Sequence, residues 1–77
     1  MKSTTINLNN ILKIKKFIQD VEKITSDVDI VRGRYVVDAK SVMGIFSMDI
    51  SKPIEVVLHS DKPEEIALFD EIMERYM

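Results

Sequence analysis

The chain has 77 residues, carries 11 Lys and Arg against 13 Asp and Glu for a formal net charge of −2, and contains no cysteine. This length fits one domain, residues 1–77, with a modest core. The missing cysteines exclude disulfides and thiolate chemistry, and the slight negative charge argues against a general nucleic-acid binder. No apolar run approaches the ~20 residues that span a bilayer, and Met1 does not lead into the apolar core of a signal peptide. We therefore expect a cytoplasmic protein that contacts neither nucleic acid nor membrane.

The N-terminal third predicts a strand followed by an amphipathic helix. Residues 3–8 alternate, with Ile6 and Leu8 on one face, which is typical of a strand. Asn9 and Asn10 then form a turn, and the short side chain of Asn is a good cap for the free N–H groups of a helix. Apolar residues recur at three- and four-residue steps, which predicts a helix from about residue 10 to 24. Its buried stripe consists of Ile11, Ile14, Phe17, Ile18, Val21 and Ile24.

Two further strands are predicted, and a tight hairpin turn joins them. Val28 and Ile30 begin the second strand, and Gly33 supplies a permissive backbone for a turn through residues 31–34. The third strand alternates, with one face formed by Tyr35, Val37 and Ala39 and the other by Val36 and Asp38.

The C-terminal half predicts a short helix, a strand and a long helix. Ser41 is a suitable cap for a short helix through about Met48, and residues 54–58 alternate as a fourth strand. We expect Ser60 or Asp61 to cap the last helix, which has Pro63 in its first turn. Its acidic first turn contains Glu64 and Glu65, and its buried stripe consists of Ile66, Phe69, Ile72, Met73 and Tyr76.

The predicted element order, βαββαβα, indicates the fold class. Alternating strands and one apolar stripe per long helix imply an α+β open-faced two-layer sandwich, in which helices cover one face of the sheet. The other face carries Val31, Val36 and Val57 among polar residues, so we expect it to be in contact with water.

The run Lys40-Ser41-Val42-Met43-Gly44 resembles the Lys-Ser-Ile-Met-Gly-like run that opens the short middle helix of the HPr family. These are the small phosphocarrier proteins of the bacterial sugar phosphotransferase system, and the chain resembles them in length and element order as well. The resemblance implies a single HPr-like domain with a four-stranded antiparallel sheet. It also implies protein partners, namely phosphotransferase components, a serine kinase or a transcriptional regulator.

The chain departs from that family where the first strand meets the first helix. Family members carry a phosphoacceptor histidine there, followed closely by an arginine and a proline, whereas residues 8–13 here read Leu-Asn-Asn-Ile-Leu-Lys. Asparagine cannot form a phosphoramidate, so we expect histidine phosphotransfer to be absent. His59, the only histidine, is predicted to be a surface residue on the outer face of the sheet. A lone histidine argues against a metal site, and without catalytic or cofactor motifs the sequence predicts neither an enzyme nor a cofactor.

Ser41 matches the regulatory serine of the family, which a dedicated kinase phosphorylates in some bacteria. The dipole and the free N–H groups of a helix start favour a phosphate at such a position, but a plain helix cap is the alternative. The resemblance also implies that Val42, Met43 and Phe46 protrude into partner surfaces, where methionine and aromatic side chains serve well. The alternative is that part of this set belongs to the core.

Charged clusters on the helices also have two interpretations. Lys13, Lys15 and Lys16 either attract an acidic partner or a phosphate, or form a solvated helix face on which Lys16 pairs weakly with Asp20. The acidic pairs at residues 64–65 and at residues 71 and 74 are typical of an ordinary helix surface, so they give little indication of acid–base catalysis.

The favoured hypothesis is an HPr-like regulatory or adaptor protein, a monomer without phosphocarrier activity, that docks to other proteins. Its predicted docking residues are Asn10, Lys13, Lys16, Val42, Met43 and Phe46, beside Ser41 as a regulatory site. The first alternative is a phosphocarrier or kinase substrate phosphorylated on Ser41. The second is a subunit that pairs through the outer face of the sheet.

Overall fold

Four antiparallel strands form one sheet in the computed structural model, which describes residues 1–41 and 51–77. They are β1 (Lys2–Ile6), β2 (Val28–Arg32), β3 (Tyr35–Asp38) and β4 (Ile54–Leu58). The same parts of the chain form two helices, α1 (Ile11–Val21) and α2 (Pro63–Glu74). The spatial order is β1-β4-β2-β3, so β1 and β3 are the edge strands. The predicted helix from Ser41 to Met48 lies outside the described residues, apart from Ser41 itself.

The register of the sheet separates a buried face from an exposed one, as the alternation in the sequence predicts. On the buried face, Val56 pairs with Ile30, and both side chains are fully buried. On the outer face, the next position along places Val31 between Glu55 of β4 and Val36 of β3. Apolar residues of the strands and both helices form one core, so the predicted open-faced α+β sandwich is confirmed.

The β2–β3 hairpin has a two-residue loop, because Arg32 pairs directly with Tyr35. Gly33 has a φ of 58°, and no other residue in the described parts of the chain has a positive φ. A two-residue loop with glycine at its first position is the geometry of a type II′ turn, whose twist matches that of the strands it joins. The predicted role of Gly33 is thus confirmed.

The first helix buries most, but not all, of its predicted stripe. Ile14, Phe17, Ile18 and Val21 are buried, whereas Ile11 is 55% exposed, so that prediction was wrong. Ile11 is the first residue of α1, and helical side chains lean toward the N-terminus, which directs this one past the covered part of the sheet. The helix also ends at Val21 instead of continuing to residue 24, although Ile24 is still fully buried in the loop that follows.

The start of the second helix also differs from the prediction. Its N-cap residue is Lys62, which makes no capping bond through its side chain, and Pro63 follows as the first helical residue. Ser60 instead accepts a hydrogen bond from the Lys62 N–H at 3.2 Å, and Asp61 pairs with the N-terminal amine of Met1. Proline at the first position already has the φ of a helix and needs no N–H partner, which lessens the need for a side-chain cap.

The third strand and the C-terminal segment complete the core. Ala39 is buried, as predicted, but Tyr35 on the same face of β3 is 69% exposed, because it lies at the hairpin end of an edge strand. Tyr76, beyond the end of α2, is buried and packs edge-on against Phe17 with ring centroids 5.4 Å apart. Within the described residues, neither helix has the length and hydrophobicity needed to cross a bilayer.

Candidate docking surface at the start of the first helix

Asn10 holds the junction between β1 and α1. Its backbone is extended, with φ −152° and ψ 163°, and its side-chain carbonyl accepts a hydrogen bond from the Lys13 N–H at 2.9 Å. This is the N-cap geometry that the sequence predicts. On the strand side of the junction, the Asn7 N–H donates to the Tyr76 carbonyl at 2.9 Å, and Leu8 is fully buried. The junction is therefore fixed by the core on one side and by the cap on the other.

The first turns of α1 are electropositive. They contain Lys13, Lys15 and Lys16 but no acidic residue to balance the positive end of the helix dipole. Lys15 and Lys16 are exposed, and Lys13 is half-buried. Within residues 1–41 and 51–77, no ion pair joins any of these lysines to a carboxylate. Their charge is thus available to attract an anionic group.

Two large apolar side chains stand beside these lysines. Ile11 is 55% exposed, and Leu12 is 73% exposed. From its spacing, Ile11 was predicted to lie in the core, and no role was predicted for Leu12. The signal was present, because Leu12 falls outside the three- and four-residue steps of the buried stripe. Exposed apolar side chains beside cations, in the first turns of one helix, are typical of a surface that contacts another macromolecule.

A buried tyrosine forms the other side of a groove of about 410 Å³ that Lys13 and Lys16 line. The Tyr76 hydroxyl donates a hydrogen bond of 2.6 Å to Asp20, which also pairs with Arg75 at 3.3 Å. Burial raises the pKa of Tyr76 well above its usual value, and the Asp20 carboxylate adds to the shift. Because Asp20 turns toward these two C-terminal residues, the predicted pair between Asp20 and Lys16 is not formed.

Ser41 lies at a distance from this helix start. Its neighbour Lys40 donates from Nζ to the carbonyl oxygens of Ile24 at 2.8 Å and of Ser26 at 3.3 Å, which follow the C-terminal end of α1. Ser41 itself is half-buried, and its N–H donates to the Asp38 carbonyl at 3.0 Å. The 11 residues of α1 extend over roughly 16 Å. Asn10 and Ser41 therefore mark opposite ends of the first helix. The other predicted docking residues, Val42, Met43 and Phe46, lie outside the described residues.

His59 is remote from the start of α1. Ile6, the last residue of β1, pairs with Ile54 at one end of β4, whereas His59 follows Leu58 at the other end. Five residues of strand separate these ends, a length of roughly 16 Å. The imidazole lies on the outer face, where Nε2 is 2.8 Å from Asp29 Oδ2. This imidazole is therefore not placed to act at the helix start. Among the described residues, no cluster of three or more acidic or histidine side chains is suited to hold a metal ion.

Glu65 is the other residue whose setting the sequence did not reveal. We predicted an ordinary surface carboxylate, but it is buried and accepts hydrogen bonds of 2.5 Å from both Thr25 and Ser26. Hydrogen bonds from Ser26, Ser60 and Thr25 lower the pKa of Glu65 to about 2, against the opposing effect of burial. This carboxylate ties the loop after α1 to the start of α2. Its role is structural, because all of its partners belong to connecting loops.

The fold and this helix start define a small open-faced α+β sandwich whose candidate functional groups lie on its surface. The family model described as the phosphorylation site of the HPr component of the phosphotransferase system matches residues 4–75. The chain therefore belongs to the HPr family. Members of this family are phosphocarriers rather than catalysts, and they interact with other phosphotransferase proteins.

Solved structures agree with this assignment. HPr-C-His from Thermoanaerobacter tengcongensis is 27% identical, with a TM-score of 0.75, over 96% of this chain and 92% of that chain. The phosphocarrier protein HPr from Bacillus anthracis is 21% identical, with a TM-score of 0.71, over 99% of this chain and 94% of that chain, and this likeness shows the fold alone. No curated protein matches the chain significantly.

Proposed function

We propose that this HPr family member is a regulatory or adaptor protein that has lost histidine phosphotransfer and acts by docking to other proteins. The observation that carries the proposal is the side chain of Asn10, which caps α1 at the junction where the family resemblance implies a phosphoacceptor histidine. An amide nitrogen is not a nucleophile at neutral pH, so Asn10 cannot accept a phosphoryl group. The chain has one histidine, His59, and it lies at the far end of the sheet.

The chemistry of the helix start favours an acidic protein partner with an apolar contact site. The lysines at positions 13, 15 and 16 would steer such a partner, because complementary charge mainly raises association rates and selects partners. Leu12 and Ile11 would then provide the desolvated contact, since exposed aliphatic side chains gain most when a partner covers them. We propose that Val42, Met43 and Phe46 extend this surface.

A phosphoryl-transfer assay tests the loss of phosphocarrier activity. The purified protein is incubated with the general phosphotransferase components and a labelled phosphoryl donor, beside a histidine-containing HPr as the positive control. We expect no acid-labile phosphate on this chain. Acid-labile label on the wild type would refute the proposal. A His59→Ala variant would then show whether this imidazole had accepted the phosphate.

A binding comparison tests the docking surface. Leu12→Asp places a charge at the most exposed apolar residue of the helix start, where an acidic residue does not disturb the helix dipole. Met77→Asp is a matched control, because Met77 is 72% exposed and lies at the C-terminus. We expect Leu12→Asp to lose binding to phosphotransferase proteins at least tenfold, while Met77→Asp binds like the wild type. Equal binding by both variants would exclude the helix start as the docking surface.

The second candidate function is regulation through Ser41, which the run from Lys40 to Gly44 favours. A serine kinase of the phosphotransferase system would transfer phosphate to the Ser41 hydroxyl, and the label would be stable to acid. Ser41→Ala should abolish that label, whereas Ser51→Ala should keep it. Absence of label on the wild type would exclude this route and leave docking through the helix start unaffected.

A further inference from the structure

The free edge of β3 is the most apolar strand edge in the described part of the chain. β3 carries Tyr35 and Val36, which are 69% and 60% exposed, whereas the opposite edge strand, β1, presents Ser3, Thr4 and Thr5. Exposed apolar edge strands pair readily with further strands, and proteins usually protect them with charged residues or proline. β3 contains no proline, and its one charged residue is Asp38, at its end.

The main-chain groups of this edge can be assigned from the hydrogen-bond alternation of the hairpin. The Ala39 N–H donates to the Val28 carbonyl at 2.8 Å, so Ala39 faces β2. Facing residues alternate along an antiparallel strand, so Tyr35 and Val37 also bond to β2, whereas Val36 and Asp38 direct their N–H groups away from the sheet. No strand in the described residues pairs with this edge.

We propose that two copies of this chain associate by antiparallel pairing of their β3 edges about a two-fold axis at Val36. In this register, Val36 lies opposite Val36 of the second copy, and each N–H donates to the other's carbonyl. Arg34 of each copy lies opposite Asp38 of the other copy, so the register contains two such pairs. In each pair, the Asp38 N–H donates to the Arg34 carbonyl. These three residues share the outer face, because side chains two apart point the same way.

Charge complementarity selects this register and the second copy as the occupant. Arg34 has no ion pair within residues 1–41 and 51–77, and Asp38 has one carboxylate oxygen, Oδ1, bonded to the Lys40 N–H at 2.8 Å. Opposite charges directly across two strands stabilise their pairing, and like charges weaken it. A shift that centres the axis on Val37 would place Arg34 opposite Lys40 and Val36 opposite Asp38. Only the Val36-centred register pairs both charges and both valines.

The interface is small, so the dimer is weak. Five residues on each side, 34–38, bury far less than the ~1,200 Å² of a stable protein interface, which places the dissociation constant on the order of 0.1–1 mM. The monomer that the sequence predicts is thus the species present at low concentration. Pairing through the strand edge differs from the alternative of pairing through the outer face, because it uses the free main-chain groups of β3.

Sedimentation equilibrium from about 10 µM to 2 mM, with a charge exchange, tests the proposal. We expect the wild type to associate across this range. Arg34→Asp should raise the dissociation constant at least fivefold, because it places a carboxylate opposite Asp38 of the other copy in both pairs. The double variant R34D/D38R restores opposite charges and should restore association. Lys52→Asp is the control for Arg34→Asp, because Lys52 is exposed in the loop before β4 and its substitution changes the net charge by the same −2.

Amide hydrogen exchange provides a second readout at the same concentrations. The Val36 N–H should become protected as concentration rises, whereas the Val37 N–H, already bonded to β2, should be protected throughout. A monomer at 2 mM, or a dimer that Arg34→Asp does not weaken, would overturn the proposal. Protection of the Val36 N–H only on adding an extended peptide would also overturn it, since the edge would then bind a different chain.

Discussion

Replacing Asn10 by alanine removes one defined interaction from the junction that distinguishes this chain within its family. The Asn10 side chain accepts a single hydrogen bond of 2.9 Å from the Lys13 N–H, and it is exposed, so the substitution creates no cavity. Loss of an asparagine cap lowers the free energy of unfolding by about 1 kcal/mol, in a range of about 0.5–2 kcal/mol. In a domain of 60–100 residues this corresponds to a fall in Tm of about 4–8 °C.

Asn10→Asp should act in the opposite direction. The carboxylate keeps an acceptor at the same position and adds a negative charge beside the positive end of the helix dipole and three lysines, which contributes about 0.3–1 kcal/mol at low salt. The gain should shrink as ionic strength rises, because the site is exposed to solvent. The Asn10→Ala and Asn10→Asp variants should therefore differ in free energy of unfolding by about 1.3–2 kcal/mol.

Urea unfolding followed by circular dichroism measures these differences as shifts in midpoint at constant slope. Asn9→Ala is the matched control, because the neighbouring Asn9 is equally exposed and makes no hydrogen bond within the described residues. We expect it to change stability by less than about 0.5 kcal/mol. Equal stability of the Asn9→Ala and Asn10→Ala variants, or a loss of stability in Asn10→Asp, would refute the assignment of Asn10 as the cap.

Three further predictions concern the core and its ionisable groups. The pKa of Glu65 is lowered from 4.5 to about 2, so its ionised carboxylate stabilises the fold fully above pH 4.5. This contribution is lost as pH falls from 4.5 toward 2. Over that range, the urea midpoint of a Glu65→Gln variant should fall less than that of the wild type. Tyr76→Phe should lower stability by about 1.5–3 kcal/mol, since it removes a hydrogen bond to the Asp20 carboxylate. Ultraviolet titration of the wild type should show a phenol whose pKa is well above its usual value, and this phenol should be missing from the Tyr76→Phe variant. Phe17→Ala should lower stability by about 3–5 kcal/mol, because the ring is fully buried against Tyr76, and calorimetry should then show little or no cooperative unfolding.

The sequence was sufficient for the strands and the core because their signals are periodic. Val28 and Ile30 lie on either side of Asp29, and Ile54 and Val56 lie on either side of Glu55. In a strand with one covered face, this alternation places the apolar side chains toward the core. Helix ends follow no such period. Ile11 fits the buried stripe of α1 by spacing alone, but its position in the first turn decides its exposure, and that depends on where the sheet beneath it stops.

The setting of Glu65 was inaccessible for a different reason. Its partners, Thr25 and Ser26, lie about 40 residues away in the sequence, and they meet it only because α1 and α2 pack side by side on the same face of the sheet. Nothing local distinguishes Glu65 from its exposed neighbour Glu64. In the same way, Asp20 has a lysine four residues before it, yet its carboxylate bonds to the C-terminal Tyr76 across the helix pair. Polar contacts between distant segments depend on packing that pattern arguments do not contain.

The two proposed surfaces are compatible because they lie on different sides of the sandwich. α1 lies on the buried face of the sheet, so its exposed start points away from the outer face, while pairing of β3 extends the sheet in its own plane. A second copy at the β3 edge therefore leaves Leu12 and the lysines of α1 uncovered. It follows that Arg34→Asp should weaken self-association without changing partner binding, and that Leu12→Asp should do the reverse. If either variant altered both properties, the helix start and the strand edge would have to belong to one continuous interface, which the register of the sheet does not permit.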